Sequence, residues 1–287
     1  MNMQPEENWD IEISPGNKLF DLRLKDTWHY RDLLLLLVRR DFVSFYKQTI
    51  LGPVWFFVQP IITIIIYTIV FGNLAGIPVD GLPKPLFYLA GTIIWNYFAE
   101  CLTKTSTVFK DNSAMLGKVY FPRLIMPLSI VLSNLIRFAV QFALFLIMMA
   151  VYWGKGQLFA PNFVLLLFPL LIFLIAALGL GLGMIISAVT TKYRDLAFVV
   201  TFGVPLLMYT TTVIYPLSVV ATKYPAYSWI IKFNPITAVI ETFRYGFLGR
   251  GSFSWELLGY STLVTAAILL LGIIIFNRVE KTFVDTV

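Results

Sequence analysis

Residues able to do acid–base, nucleophilic or metal chemistry are scarce in this 287-residue chain. It has one histidine, His29, and one cysteine, Cys101. A lone cysteine closes no internal disulfide and builds no cysteine-based zinc site. A Ser/His/Asp triad would need His29 as its base, yet His29 lies in a charged N-terminal segment far from any candidate nucleophile. The simpler reading is a solvated surface histidine. No G-x-x-x-x-G-K-[ST] loop is present to cradle a nucleotide. Gly154-Lys155-Gly156 and Gly117-Lys118 lack its context. Gly179, Gly181 and Gly183 fall within an apolar run, where small residues at this spacing let helices approach closely. What remains are ionisable residues inside apolar stretches: Glu100 and Arg137, with Lys104 near a helix end. At 1.5 Å per helical residue, Glu100 and Arg137 lie about 15 and about 21 Å from the same end of their segments. One turn of offset is within reach of two long side chains, so a structural ion pair is expected. Breaking such a pair costs roughly 3–5 kcal/mol if it is fully buried. A proton relay would need more acidic groups than one.

Polar and aromatic side chains also recur at helical spacing. Trp55, Gln59, Thr63, Tyr67 and Phe71 come every four residues, and Thr201, Met208, Tyr209, Thr212 and Tyr215 form a comparable row. The surrounding residues are Ile, Val, Leu and Phe. Lipid has no use for the hydroxyl and amide groups, whereas a wet pathway does. Helix–helix contacts or an interfacial aromatic belt are the plainer alternatives, of equal weight for Phe71 and Tyr215. Arg39, Arg40 and Lys47 precede the first apolar run. Arginine offers a fork suited to phosphate oxygens; orientation and anchoring on anionic lipid are the alternative uses of these charges.

The elements that must position these residues follow from composition. Hydrophobic residues make up 58% of the chain and charged residues 13%, with a mean hydropathy of +0.79. Soluble domains carry about 25% charged residues, so the class is an all-α integral membrane protein. The net charge of +6 then reflects Lys and Arg kept beside anionic lipid, not nucleic-acid binding. No cleavable signal peptide is visible near the start. Residues 27–47 mix Trp28 and the run from Leu33 to Val38 with six charges, too few apolar residues to span, and predict an interfacial amphipathic helix within a cytoplasmic segment 1–49. A soluble cytosolic helix is the competing reading. Six spans follow, at about 50–73, 86–108, 124–153, 162–190, 196–216 and 256–277. Fifteen Lys and Arg fall on the side of the termini and six on the other, which puts both termini in the cytoplasm. Residues 217–253 hold apolar pieces too short to span, separated by Pro216, Pro225, Asn234-Pro235, Gly249 and Gly251. Two short re-entrant helices fit, with a surface loop carrying an amphipathic helix as the alternative. Re-entrant backbone survives only in protein or beside a wet cavity. Residues 111–121 form a two-turn polar stretch, too short to be stable alone. It is either a simple connector or a segment that docks against something else.

Taken in order, these features resemble the type-2 ABC exporters of polysaccharide and polyol-phosphate polymers. The run from Arg39 to Pro60, RRDFVSFYKQTILGPVWFFVQP, looks like the approach to their first span. Lys118 to Pro127, KVYFPRLIMP, resembles their first cytoplasmic loop, and Tyr193-Arg194-Asp195 and Asn234-Pro235 also match. The resemblance implies the permease subunit of an exporter of O-antigen, capsule or teichoic acid in the bacterial inner membrane, residues 50–287 forming its six-helix domain. The lack of a long extracellular insertion slightly favours O-antigen. Two copies would form the channel, driven by two copies of a separate P-loop ATPase. The chain would carry no cofactor; ATP and Mg would belong to that partner. Residues 111–121 would couple to the ATPase through Asp111, Asn112, Met115, Lys118, Tyr120 and Phe121, and residues 217–250 would be outer gate helices. The substrate would be a glycan on polyprenyl diphosphate, whose headgroup Arg39, Arg40 or Lys47 would meet. Sugar rings can lie on the aromatic rings of the two rows and exchange hydrogen bonds with Gln and Thr. Competing readings are an exporter of drugs or lipids and, in another class, a membrane glycosyltransferase, for which the scattered Asp and Glu supply no cluster.

Overall fold

A computed structural model describes residues 28–47, 49–112, 115, 121–190, 193 and 195–283, with side chains left out at 45, 46 and 280–283. Every regular element among the described residues is helical. α1 spans Arg31–Tyr46. After a 3₁₀ turn at Gly52–Val54, α2 runs over Trp55–Tyr67 and continues as a π-helical stretch, Thr68–Leu74. α3 is Lys84–Ser106, followed by the single turn α4, Val108–Asp111. α5 is Ile125–Gly154. A 3₁₀ segment, Phe163–Leu167, leads into α6, Phe168–Thr190. α7 covers Leu196–Leu207 and tightens into a 3₁₀ turn at Met208–Thr210. Three shorter helices come next: α8, Leu217–Lys223; α9, Ser228–Lys232; and α10, Pro235–Leu248. α11, Trp255–Phe283, closes the described chain.

Among the described residues, four helical stretches are long and apolar enough to cross a bilayer: Gly52–Leu74, Ile125–Gly154, Phe163–Thr190 and Trp255–Val279. The other two expected spans differ for separate reasons. α3 has the length, at 23 residues, but Glu100, Lys104, Asn96 and three Thr make it too polar. It sits in the middle of the bundle instead, against α5, α6 and α10, and sixteen of its residues are buried. The fifth expected span, 196–216, stops early. Its helical part is Leu196–Thr210, only about 22 Å at 1.5 Å per residue. Pro205 lies inside the helix and cannot donate to the backbone ladder, and Thr211 is already extended, with φ −121° and ψ 167°.

Close packing of α6 rests on its small residues. A Cβ on Gly179 would come within 2.9 Å of Cys101 Cβ, and one on Gly183 within 2.5 Å of Thr105 Cβ, both on α3. Gly181 faces the other way, onto α11, where a Cβ on Gly272 would meet the Gly181 carbonyl at 2.5 Å. The glycine run is therefore a two-sided helix seam. α1 packs along α5. Its Leu37 joins Phe109, Phe121, Ile125 and Met126 in a second cluster of buried residues, while Leu35 and Leu36 stay exposed.

α10 is set by local chemistry. The Asn234 side chain caps it, accepting from the Ile236 N–H at 3.0 Å, with Pro235 in the first turn, where a missing N–H costs nothing. Gly249 ends it in the left-handed region, at φ 67°, which favours glycine. Asn162 ties this end down, donating from Nδ2 to the Tyr245 carbonyl at 2.9 Å.

Candidate functional site

A cavity of about 480 Å³ lies between α2, α3, α5 and α7. Each helix turns its polar stripe toward it. α2 contributes Gln59, Thr63 and Tyr67; α7 and its 3₁₀ end contribute Thr201 and Met208. From α3 come Thr92, Asn96, Glu100 and Thr103, and from α5 Asn134, Arg137 and Gln141. Trp95, Tyr97 and Phe138 supply aromatic wall. Gln59 and Thr201 are exposed, so the cavity opens to the outside of the single chain.

Most hydroxyl protons here are committed to the helices that carry them. Thr63 Oγ1 donates to the Gln59 carbonyl at 3.0 Å, Thr92 Oγ1 to the Tyr88 carbonyl at 2.9 Å and Thr201 Oγ1 to the Ala197 carbonyl at 3.0 Å. Their lone pairs are what they offer a guest. Tyr67 OH donates to Met208 Sδ at 3.5 Å, and Asn96 Nδ2 to Gln141 Oε1 at 3.4 Å, linking α2 to α7 and α3 to α5.

Glu100 and Arg137 meet on this wall. Arg137 Nη1 lies 3.3 Å from Glu100 Oε2, and Lys104 Nζ lies 3.1 Å from the same oxygen. The Glu100 side chain is 46% exposed and Arg137 13%. The cost of breaking this pair is therefore well below that of a fully buried one, because the half-exposed Glu100 carboxylate is screened by solvent.

Of the ten residues in the two rows, five line this cavity and five do not. Trp55 is exposed a turn before Gln59. Phe71 falls in the π-helical stretch, its ring edge-on to Tyr67 at 5.4 Å. The α7 row breaks because the helix ends at Thr210. Tyr209 is exposed there, and Thr212 is fully buried, its carbonyl accepting from Arg244 Nη1 at 2.6 Å. Tyr215 OH donates to the Tyr209 carbonyl. It lines a different cavity of about 420 Å³, with Lys223, Tyr224 and Tyr227. The chain past Pro205 leaves the helix at an extended Thr211, so Thr212 and Tyr215 do not share a helical face with Thr201.

Arg39, Arg40 and Lys47 are all exposed; Arg40 Nη2 is 2.9 Å from Asp41 Oδ1. Asp111 ends α4, its Oδ2 accepting from Thr107 Oγ1 at 2.6 Å. Asn112 Nδ2 donates to the Val108 carbonyl at 3.0 Å. Met115 is half-buried. Phe121 is 4% exposed and packs in the chain's own second cluster, so its ring is not a free docking face. Lys118 and Tyr120 lie outside the described residues.

A second charged pair was not anticipated. Arg244 and Glu241, three residues apart on α10, are 1% and 3% exposed. Arg244 Nη1 is 3.4 Å from Glu241 Oε1 and donates to Thr212 O; its Nη2 donates to Phe87 O at 3.2 Å and Val213 O at 3.1 Å. The guanidinium carbon also lies 3.6 Å from the centre of the Phe87 ring. Glu241 Oε2 accepts from the Ser252 N–H at 3.1 Å and from its hydroxyl at 3.3 Å. One buried pair thus fastens α10 to α3, to the chain leaving α7 and to the loop before α11. An opposite-charge pair at i, i+3 in the apolar stretch 235–248 was the available signal.

A helical membrane protein with a polar cavity gathered from four of its helices has the build of a transport subunit. Residues 32–248 match the family model described as ABC-2 type transporter, and the chain belongs to that family. It is 28% identical over 222 residues to the "O-antigen export system permease protein RfbA" of Myxococcus xanthus, covering 77% of this chain and 82% of the relative. A Klebsiella pneumoniae protein of the same description is 25% identical over 254 residues, covering 88% and 94%. The "Polysialic acid transport protein KpsM" of Escherichia coli is 21% identical over 242 residues, covering 82% and 89%.

Proposed function

We propose that this chain is the channel-forming permease subunit of an ATP-driven exporter that moves polyprenyl-diphosphate-linked polysaccharide, O-antigen in the first instance, across the bacterial inner membrane. The observation that carries the reading is the cavity. Four helices turn amide, hydroxyl and aromatic groups toward one another, a lining that suits sugar rings and that lipid would not reward. Many weak contacts of this kind let a polymer slide without being trapped. The O-antigen permeases among the relatives support the choice of cargo. A capsule polymer is the second reading, favoured by the polysialic acid transport protein at lower identity.

In this reading the chain spans six times with both termini in the cytoplasm, α3 and α7 crossing within the bundle. Two copies pair, the polar cavities contributing to one conduit. ATP and Mg act on a separate P-loop ATPase, and the segment that begins at the end of α4, with Asp111, Asn112 and Met115, docks on it. α1 lies in the interface, where Arg39, Arg40 and Lys47 meet the carrier's diphosphate; α8 to α10 form the outer gate. Deleting the gene from its host should abolish surface O-antigen and leave lipid-linked polymer at the inner face, both read by gel electrophoresis of extracted polymer. Normal surface O-antigen in the deletion strain would overturn the choice of cargo.

A further inference from the structure

The second cavity, of about 420 Å³, lies between the chain that leaves α2 and the helices α8 and α9. Its size is that of a small-molecule site, about 300–1,000 Å³. The elements that line the first cavity lead to it. Tyr67 is followed along its chain by Ala75, and Met208 by Tyr215, and both Ala75 and Tyr215 line the second cavity. Its apolar lining is Ile77, Pro78, Val219, Val220 and Ile231; Tyr215, Tyr224, Tyr227 and Lys223 complete it. The Tyr215 hydroxyl is committed to the Tyr209 carbonyl. The hydroxyls of Tyr224 and Tyr227 and the Lys223 ammonium make no hydrogen bond or ion pair with any described residue, and all three residues are exposed. The two walls are tied together beside the cavity. Ser218 Oγ, on α8, donates to Asp80 Oδ1 at 2.7 Å. Asp80 has a positive φ, 52°, a conformation that aspartate adopts more readily than most residues. A lipid chain would use the apolar lining and leave the three donors unanswered. A pyranose ring uses both: its C–H faces lie on apolar and aromatic surface, and its hydroxyls and any acid group meet the phenols and the ammonium.

We infer that this second cavity is a saccharide site at the outer mouth of the conduit. It holds a short stretch of the polymer and prefers a unit with an acid group, which Lys223 meets. Its place on the conduit rests on the first cavity being the transport pathway. Because Lys223 is exposed, salt screens its charge, and it adds a modest preference, not tight binding. Weak holding suits an exit, since it slows backward slipping of the polymer without stopping release.

The test uses the full chain in lipid nanodiscs, carrying Cys101→Ala and Ala75→Cys, and follows the rate of reaction with a neutral maleimide. Ala75 lines the cavity and is exposed, so a cysteine there should react. The probes are a disaccharide containing glucuronic acid, its neutral glucose counterpart, and farnesol. Both disaccharides should slow the reaction. The acidic one should do so at about three-fold lower concentration in low salt, and the difference should fade in high salt. Ala226→Cys, exposed but outside the lining, should react equally with and without sugar. Lys223→Gln should make the two disaccharides equal. Tyr224→Ala combined with Tyr227→Ala should raise the concentration needed of both by about ten-fold. These exposed positions should leave the melting temperature unchanged. Protection by farnesol alone would make this a lipid site, and a cysteine unreactive without sugar would mean a face covered by another chain; either overturns the proposal. So does the absence of protection by both disaccharides, or equal protection of Ala226→Cys. Equal protection by the two disaccharides before Lys223 is changed overturns the acid preference. A first cavity that labels as water-filled, with no protection here, defeats this site alone. Protection here beside a dry first cavity defeats its place on the conduit.

Discussion

Arg244→Leu should destabilise the folded chain by about 3–5 kcal/mol, the cost of breaking a buried ion pair by removing one partner. The substitution leaves Glu241 buried with only Ser252 to stabilise its charge. It also strips a donor from the carbonyls of Phe87, Thr212 and Val213, and unmade hydrogen bonds in a dry site are costly. Glu241→Gln should cost less, because a neutral amide can still accept from Ser252 and still face the guanidinium. Removing both charges should not restore the wild type, since the three carbonyls remain without their donor. Melting of detergent-solubilised protein, followed by size-exclusion, reads the order directly: wild type most stable, then Glu241→Gln, with Arg244→Leu the least stable. Equal melting of wild type and Arg244→Leu would mean that α10 is not fastened through this residue.

Gly272→Leu should have an effect of similar size by a different route. A Cβ there would sit 2.5 Å from the Gly181 carbonyl and 3.0 Å from Gly181 Cα, against backbone that cannot rotate away. α6 and α11 must separate to admit it, and overpacking of this kind costs about 1–3 kcal/mol or more. Gly259→Leu on the same helix is the control. No heavy atom lies within 4 Å of a Cβ at that position, and leucine is the better helix former by up to about 1 kcal/mol. Gly272→Leu should lower the melting temperature by several degrees and shift the protein toward aggregate, while Gly259→Leu should not. Parity between the two would remove the close α6–α11 contact from the account.

How much of this was legible in the sequence depended on whether the signal was local. The helical class, the approximate limits of the long apolar stretches and the packing use of Gly179 to Gly183 follow from composition and spacing. The pair Asn234-Pro235 was read only as a break between short apolar pieces and as part of the family resemblance, although the cap it forms is a matter of neighbouring residues. The polar rows on α2 and on the first part of α7 were visible because apolar surroundings make Gln59, Thr63 and Thr201 stand out. The matching stripes of α3 and α5 were harder to see: Asn96, Thr103, Asn134 and Gln141 are single polar residues whose common direction appears only when the helices are packed. Thr212 and Tyr215 fall outside the four-helix cavity: periodicity does not report where a helix stops, and Pro205 alone did not say how far beyond it the helix would run. Arg244 was counted among the cations of an outer loop, since its partners Phe87, Thr212 and Val213 are distant in sequence. Phe121, read as part of a docking segment, joins a cluster with Leu37 from an element more than eighty residues before it.

The central claim is that the cavity between α2, α3, α5 and α7 is a water-filled transport pathway. It is tested most directly by single-cysteine labelling in a Cys101→Ala background, using a charged, water-soluble thiol reagent on membranes with the transporter held open. Cysteines at Gln59, Thr63, Tyr67, Thr201 and Met208, which line the cavity, should react. Cysteines at Ile61 and Ile65, exposed on the far side of α2, should stay silent in lipid. Reaction at Ile61 and Ile65 with Gln59, Thr63 and Tyr67 unreactive would place the conduit on the other face and contradict the account.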